Sequence, residues 1–327
     1  MKYKRIISTI LKFAFTIGVI YYLITTGSLN FQRLSLFIEA PENLFIILIS
    51  LLLFIVPLTS LRWWLLLRAL KFNIPLGRAY LLTWIGNFFN ATLPGAVTGD
   101  VIKGYYTIKT NSDNNKTSTL TTLIIDRVTG LFGLIVMAFF ALLYNWTLIF
   151  SLVPLQPLAI FIFILFVGVV IFYVIILFPF ADGKDPFIRL LKKLPKSDFF
   201  LKIYRTFKQY QFHWKTLAST LLISLIIHSI VAFLFLIIAR MMGLNDLHLA
   251  TQMFVMPIGL ITMSIPVAPG GIGIGHAAFE ALYLFIGIKG GADIFNLFIV
   301  LQLAVYLLGG IVYFGYSSEY RKSKKAS

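Results

Sequence analysis

The chain has 327 residues, of which 59% are hydrophobic and only 12% charged, with a mean hydropathy of +0.91. No water-soluble fold buries that much apolar surface, whereas a bilayer removes the need to bury it. The formal net charge of +16 is scattered between apolar runs, which excludes a nucleic-acid face and points to an anionic membrane surface as partner. The absence of cysteine excludes disulfides, thiol catalysis and Cys-ligated metals.

Taken in order, Lys2, Lys4 and Arg5 precede an apolar run over 6–25 that lacks a small-residue cleavage site, which predicts an uncleaved first span. A second span is expected at 44–66. The next hydrophobic segment, 79–108, is broken by Pro94, Gly95 and Gly99 and cannot be one continuous helix. Spans follow at 119–143 and 157–179, and then a basic stretch over 181–215. Within it Phe200, Ile203, Tyr204, Phe207 and Tyr210 recur at helical spacing, with Lys202, Arg205 and Lys208 on another face. That pattern suits an interfacial helix or a solvated connector. A span at 216–240 leads to a second broken segment, 251–288, interrupted by Pro269, Gly270, Gly271 and Gly273. A last span at 294–316 precedes a basic tail, 318–327.

The Lys/Arg positions set an orientation. Both termini are expected in the cytoplasm, as are Arg62, Arg68, Lys71 and Arg78 after the second span and Lys103, Lys109 and Lys116 before the third. The first broken segment then enters from and returns to the cytoplasm, and the second does the same from outside. The expected fold is an all-α polytopic membrane protein with six spanning helices and two oppositely oriented re-entrant hairpins. The halves 1–180 and 216–317 form a possible inverted repeat, the signature of secondary transporters.

Polar residues at membrane depth are costly and mark function. Asn87, Asn90, Asp100 and Lys103 cluster around the first break, and Asp126-Arg127 opens an otherwise apolar span. Neighbouring helix positions diverge by about 100°, so Asp126 and Arg127 each need a separate partner; Asp100 and Glu280 are the candidates for Arg127. His276 and Glu280 share one helix face at i and i+4. Lys103 and Arg127, with Asn87 and Asn90, suit a headgroup phosphate; Asp100, Asp126, Glu280 and His276 suit charge balance or proton coupling. The four histidines lack metal-ligand spacing, and no metal or cofactor is expected.

Asn90 with Leu93-Pro94-Gly95, Gly99-Asp100 with Lys103, Asp126-Arg127 with Gly130, and Pro269-Gly270-Gly271-Ile272-Gly273 with Glu280 resemble the lysylphosphatidylglycerol synthase/flippase transmembrane family. The resemblance runs from about residue 8 to 316. Where that family often carries Arg after the Gly-Asp, this chain carries Lys103, which keeps the charge and loses the bidentate fork. The resemblance implies movement or handling of phospholipids or lipid-linked intermediates in the cell (inner or plasma) membrane. Some relatives fuse this region to a soluble aminoacyl-transferase domain, which the few residues after Tyr316 are too short to supply, so a catalytic role is the less expected one. Alternative readings are the membrane component of a lipid-modifying enzyme, either a lysyltransferase or glycosyltransferase-associated, and a non-transporting envelope scaffold. A homo-oligomer or a separately encoded envelope enzyme are the further partners expected.

Overall fold

The computed structural model describes residues 17–18, 21, 24–25, 30–93, 97–110, 116–180, 185–195, 197–263 and 273–315, and among these every regular element is helical. Five helices are long and apolar enough to cross a membrane: α1 (Pro41–Ala69), α4 (Lys116–Tyr144), α5 (Val153–Leu177), α7 (Trp214–Met241) and α10 (Gly291–Gly315). Each contains or closely overlaps an expected span; the sixth, 6–25, lies almost wholly outside the described residues. In α1 the winding widens to a π-turn over Leu51–Ile55, directly before Pro57, whose ring removes one backbone donor.

Both broken segments form pairs of shorter helices: α2 (Leu76–Thr92) with α3 (Thr98–Thr110), and α8 (Leu249–Met263) with α9 (Ile274–Phe285). At 12 to 17 residues each, they reach about 18–26 Å at 1.5 Å per residue, short of the roughly 30 Å hydrocarbon core. Both pairs run antiparallel. In the first, the Asn90 side chain meets Gly99 and Gly86 meets Lys103. In the second, Gly259 meets Phe279, while Tyr283 donates to Gln252. Glycine is required at the first crossing: a Cβ on Gly99 would stand 1.9 Å from the Gly86 carbonyl oxygen.

Contacts fix the helix directions. Arg62 and Trp63 of α1 meet Asp126 and Thr122 of α4, which makes these two antiparallel. Gly290, at the start of α10, sits against Met242 at the end of α7, and the Phe298 ring meets Phe235 at a tilt further along, so α7 and α10 are also antiparallel. The main core gathers α1, α4, α7, α8, α9 and α10 around Phe235, Phe279, Phe295 and Phe298. Helix α5 is peripheral. Its Ile160, Phe163, Ile164, Ile171 and Val174 are exposed, as befits side chains facing lipid tails.

The basic connector is a docked element. Within it α6 (Ser197–Lys208) buries Leu201 and Tyr204, and the turn that follows buries Tyr210, whose hydroxyl donates to the Leu66 carbonyl at 3.0 Å. Lys208 departs from the expected basic face: its ammonium donates to the Phe178 carbonyl at 2.6 Å, so it closes the end of α5. Burial pushes the Lys208 pKa down, and burial plus the hydrogen bond to Asp185 pushes the Tyr204 hydroxyl up.

Candidate functional site

The centre of the polar site is a buried residue that charge patterning groups with the cytoplasmic cations after the second span. Arg62 lies inside α1 at 8% exposure. Its Nε donates to Asp126 Oδ1 at 2.7 Å and its Nη1 to Ser224 Oγ on α7 at 3.0 Å. Ser224 donates its own proton to the Thr220 carbonyl at 2.8 Å. The guanidinium lies against Gly130, where a Cβ would be 3.1 Å from Nη1. His228, one turn beyond Ser224, has Nε2 2.9 Å from the Gly130 carbonyl. Gly130 and Gly133 thus let a guanidinium and helix α7 approach the α4 backbone closely.

As the sequence requires, Asp126 and Arg127 do not pair with each other. Asp126 takes Arg62, and Arg127 donates from Nε to Asp100 at the start of α3. The two pairs differ in setting: the Arg62 and Asp126 side chains are 9% and 10% exposed, whereas Arg127 is 43% exposed and Asp100 14%. Asn90 accepts the Gly99 N–H at 2.8 Å, stapling α2 to the first turn of α3, and Asn87 sits half-buried three residues earlier.

Lys103 is the most distinctive member. It is 4% exposed, its stem is pressed against Gly86, and its ammonium stands 4.1 Å from the centroid of the Trp63 ring. Among the described residues it makes no ion pair, although Asp126, Asp100, Arg62 and Arg127 are the charges that act on it. An indole face holds a cation more weakly than a carboxylate does.

The second hairpin carries a separate cluster. Glu280 Oε2 accepts the Ala292 N–H at 3.0 Å, capping α10, so Glu280 is not the partner of Arg127. His276 accepts the Gly273 N–H on Nδ1 at 3.3 Å, while its Nε2 lies 3.4 Å from Asn296 Oδ1. Gly273 takes a φ of 90°, a conformation that glycine adopts without penalty. Asp293 accepts the Asn30 N–H at 2.6 Å and forms an ion pair with Arg33 at 2.8 Å, tying the segment before α1 to the start of α10. Pro94, Gly95, Pro269, Gly270 and Gly271 lie outside the described residues.

The family model of the lysylphosphatidylglycerol synthase transmembrane region matches residues 9–312. The chain belongs to that family. No curated protein and no solved structure matches it. The motifs that carry the resemblance distribute unevenly over this family member's structure. Gly99, Asp100, Lys103, Asp126, Arg127 and Gly130 gather at one site, and Gly273 and Glu280 belong to another. Sequence reasoning misses Arg62, Trp63, Ser224 and His228. A signal for Arg62 exists: an arginine followed by further apolar turns inside a strongly hydrophobic helix asks for an internal partner.

Proposed function

We infer that this multi-pass membrane protein acts as a flippase-like carrier of phospholipids or lipid-linked intermediates, with the headgroup phosphate held at Lys103. The observation that carries this reading is the burial of Lys103 at 4% exposure with an aromatic face and no ion pair among the described residues. A buried cation without a carboxylate is the natural partner of an anionic headgroup. Arg127, half-exposed on the next face of α4, and Asn87 and Asn90 on α2 complete the polar surround.

In this reading α2–α3 and α8–α9 are re-entrant hairpins entering from opposite membrane faces. The first begins and ends beside the close of α1 and the start of α4; the second begins and ends beside the close of α4 and the start of α10. The succession α1, hairpin, α4 is then repeated with inverted direction as α7, hairpin, α10, the arrangement expected of an alternating-access carrier. The Lys/Arg distribution supports a cytoplasmic side for both termini in this reading. An apolar groove of about 610 Å³, lined by Val136, Phe166, Val169, Tyr173, Leu177 and Leu221, opens on the neighbouring face of α4 and suits an acyl chain.

The test is reconstitution of the full chain into liposomes with labelled phospholipid in one leaflet. Leaflet exchange is expected only with protein present, and Lys103→Gln is expected to abolish it while leaving the thermal melt close to wild type. Exchange no faster than in protein-free liposomes overturns the reading.

A further inference from the structure

The charge count at this site narrows its ligand. Three cations, Arg62, Lys103 and Arg127, share the site with two carboxylates, Asp100 and Asp126. Among the described residues both carboxylates are committed, Asp126 to Arg62 and Asp100 to Arg127, so one positive charge is left over in that set and it resides on the buried Lys103 ammonium. Gly86 presses on the lysine stem so closely that a Cβ at that position would stand only 2.6 Å from the lysine Cδ. In surroundings of low polarizability a single uncompensated charge is costly, and it attracts one counter-charge strongly; a second negative charge would recreate the imbalance with the opposite sign. A lysine is also a point charge, suited to one phosphate oxygen, whereas Arg62 already spends its Nε and Nη1 donors on protein groups.

We propose that this site selects lipids whose phosphate carries one negative charge, the phosphodiesters, and discriminates against phosphomonoester and diphosphate headgroups. The inference rests on the lipid-carrier reading and decides between two substrate classes that the sequence leaves open. It also runs against bulk electrostatics: a chain of formal net charge +16 should otherwise favour the more highly charged lipid.

Two measurements separate the inference from the reading beneath it. The purified full-length protein in neutral detergent at pH 8 is offered phosphatidylglycerol or phosphatidic acid, and retained lipid is counted by native mass spectrometry. In parallel, leaflet exchange of labelled versions of the same two lipids is followed in liposomes. At this pH phosphatidic acid is close to doubly charged, since the second ionisation of a phosphomonoester falls near 6. Phosphatidylglycerol is expected to be retained and exchanged at least about tenfold better than phosphatidic acid. Asp100→Asn, which frees a second positive charge at the half-exposed pair, is expected to reverse that order, and Lys103→Gln to erase it. Monoanion-selective retention with no exchange would sink the carrier reading and leave the ligand assignment standing. Exchange of both lipids at equal rates, unchanged by Asp100→Asn, overturns the charge-selection proposal and leaves the carrier reading intact. Unselective retention without exchange overturns both.

Discussion

Asp126→Asn should be the most damaging neutralisation of a charge at the polar site, and more damaging than Arg62→Gln. Both break the same 2.7 Å pair between side chains that are 9% and 10% exposed. Removing one partner of a buried ion pair costs about 3–5 kcal/mol, because the other charge is left uncompensated. The surroundings make the two losses unequal. With Arg62→Gln, Asp126 keeps a neighbouring cation in Lys103, and the site falls from one net positive charge to none; the cost should lie near the lower end of that range, about 3 kcal/mol. With Asp126→Asn, the cations Arg62 and Lys103 share the site with one carboxylate fewer, and the cost should approach the upper end, about 5 kcal/mol. The Arg62→Gln/Asp126→Asn double variant should recover most of the loss, since no charge is stranded. The exposed pair supplies the contrast: Arg127→Gln, where the arginine is 43% exposed, should cost about 1 kcal/mol or less. Thermal melts of the purified variants in one detergent read all four. Equal melts for Arg62→Gln and wild type, or a double variant no better than Asp126→Asn alone, would refute the claim that this pair is an internal keystone.

Gly99→Ala should prevent folding, because its Cβ would meet the Gly86 carbonyl oxygen at 1.9 Å, whereas Gly86→Ala meets chiefly the flexible Lys103 stem and should fold while losing leaflet exchange. Size-exclusion profiles and the liposome assay distinguish the two, and equal behaviour would count against the hairpin crossing. Glu280→Leu should lower stability by about 1–3 kcal/mol by orphaning the Ala292 N–H, whereas Glu280→Gln retains an acceptor and should cost less than about 1 kcal/mol; melts decide. Single cysteines placed at Asp113 and Lys289 should label from opposite sides, the cytoplasm and the exterior respectively, with membrane-impermeant reagent. Labelling of both from one side would remove the opposed hairpins.

Much of the fold is legible in the sequence because bilayer crossing imposes a length and a purity that few other segments satisfy. The runs 44–66, 119–143, 157–179, 216–240 and 294–316 correspond to α1, α4, α5, α7 and α10 for that reason. Pro and Gly punctuation separates α2 from α3 and α8 from α9 equally plainly. The demand that Asp126 and Arg127 find separate partners follows from helical geometry alone, and the structure meets it. Partner identity does not follow. A Lys/Arg count places Arg62 on the cytoplasmic side because it weighs position along the chain and carries no information about which helix lies opposite. Glu280 is a plausible partner for Arg127 by charge, yet the nearer claim comes from an uncapped backbone donor at the start of α10, a group with no signature in side-chain composition.

The two hairpins differ in chemistry even where their connectivity matches, and the difference bears on which of them a ligand can move. In the second, Glu280 holds the α10 start, His276 meets Asn296, and the Tyr283 hydroxyl donates to Gln252 at 2.5 Å. Each bond ties the hairpin to itself or to α10 and resists its displacement, although Gln252 Nε2 is buried without a hydrogen-bond partner among the described residues. In the first, Asn90 staples the tip, but Lys103 rests on the Trp63 face, and Asp100 reaches out to a half-exposed arginine. A ligand shifts a conformational equilibrium only through contacts that differ between the two states. If a headgroup phosphate binds at Lys103, as proposed above, the contact with most to gain is the one made by a buried cation lacking a carboxylate, so the α2–α3 hairpin is the element whose position the ligand would bias, with α8–α9 expected to stay in place.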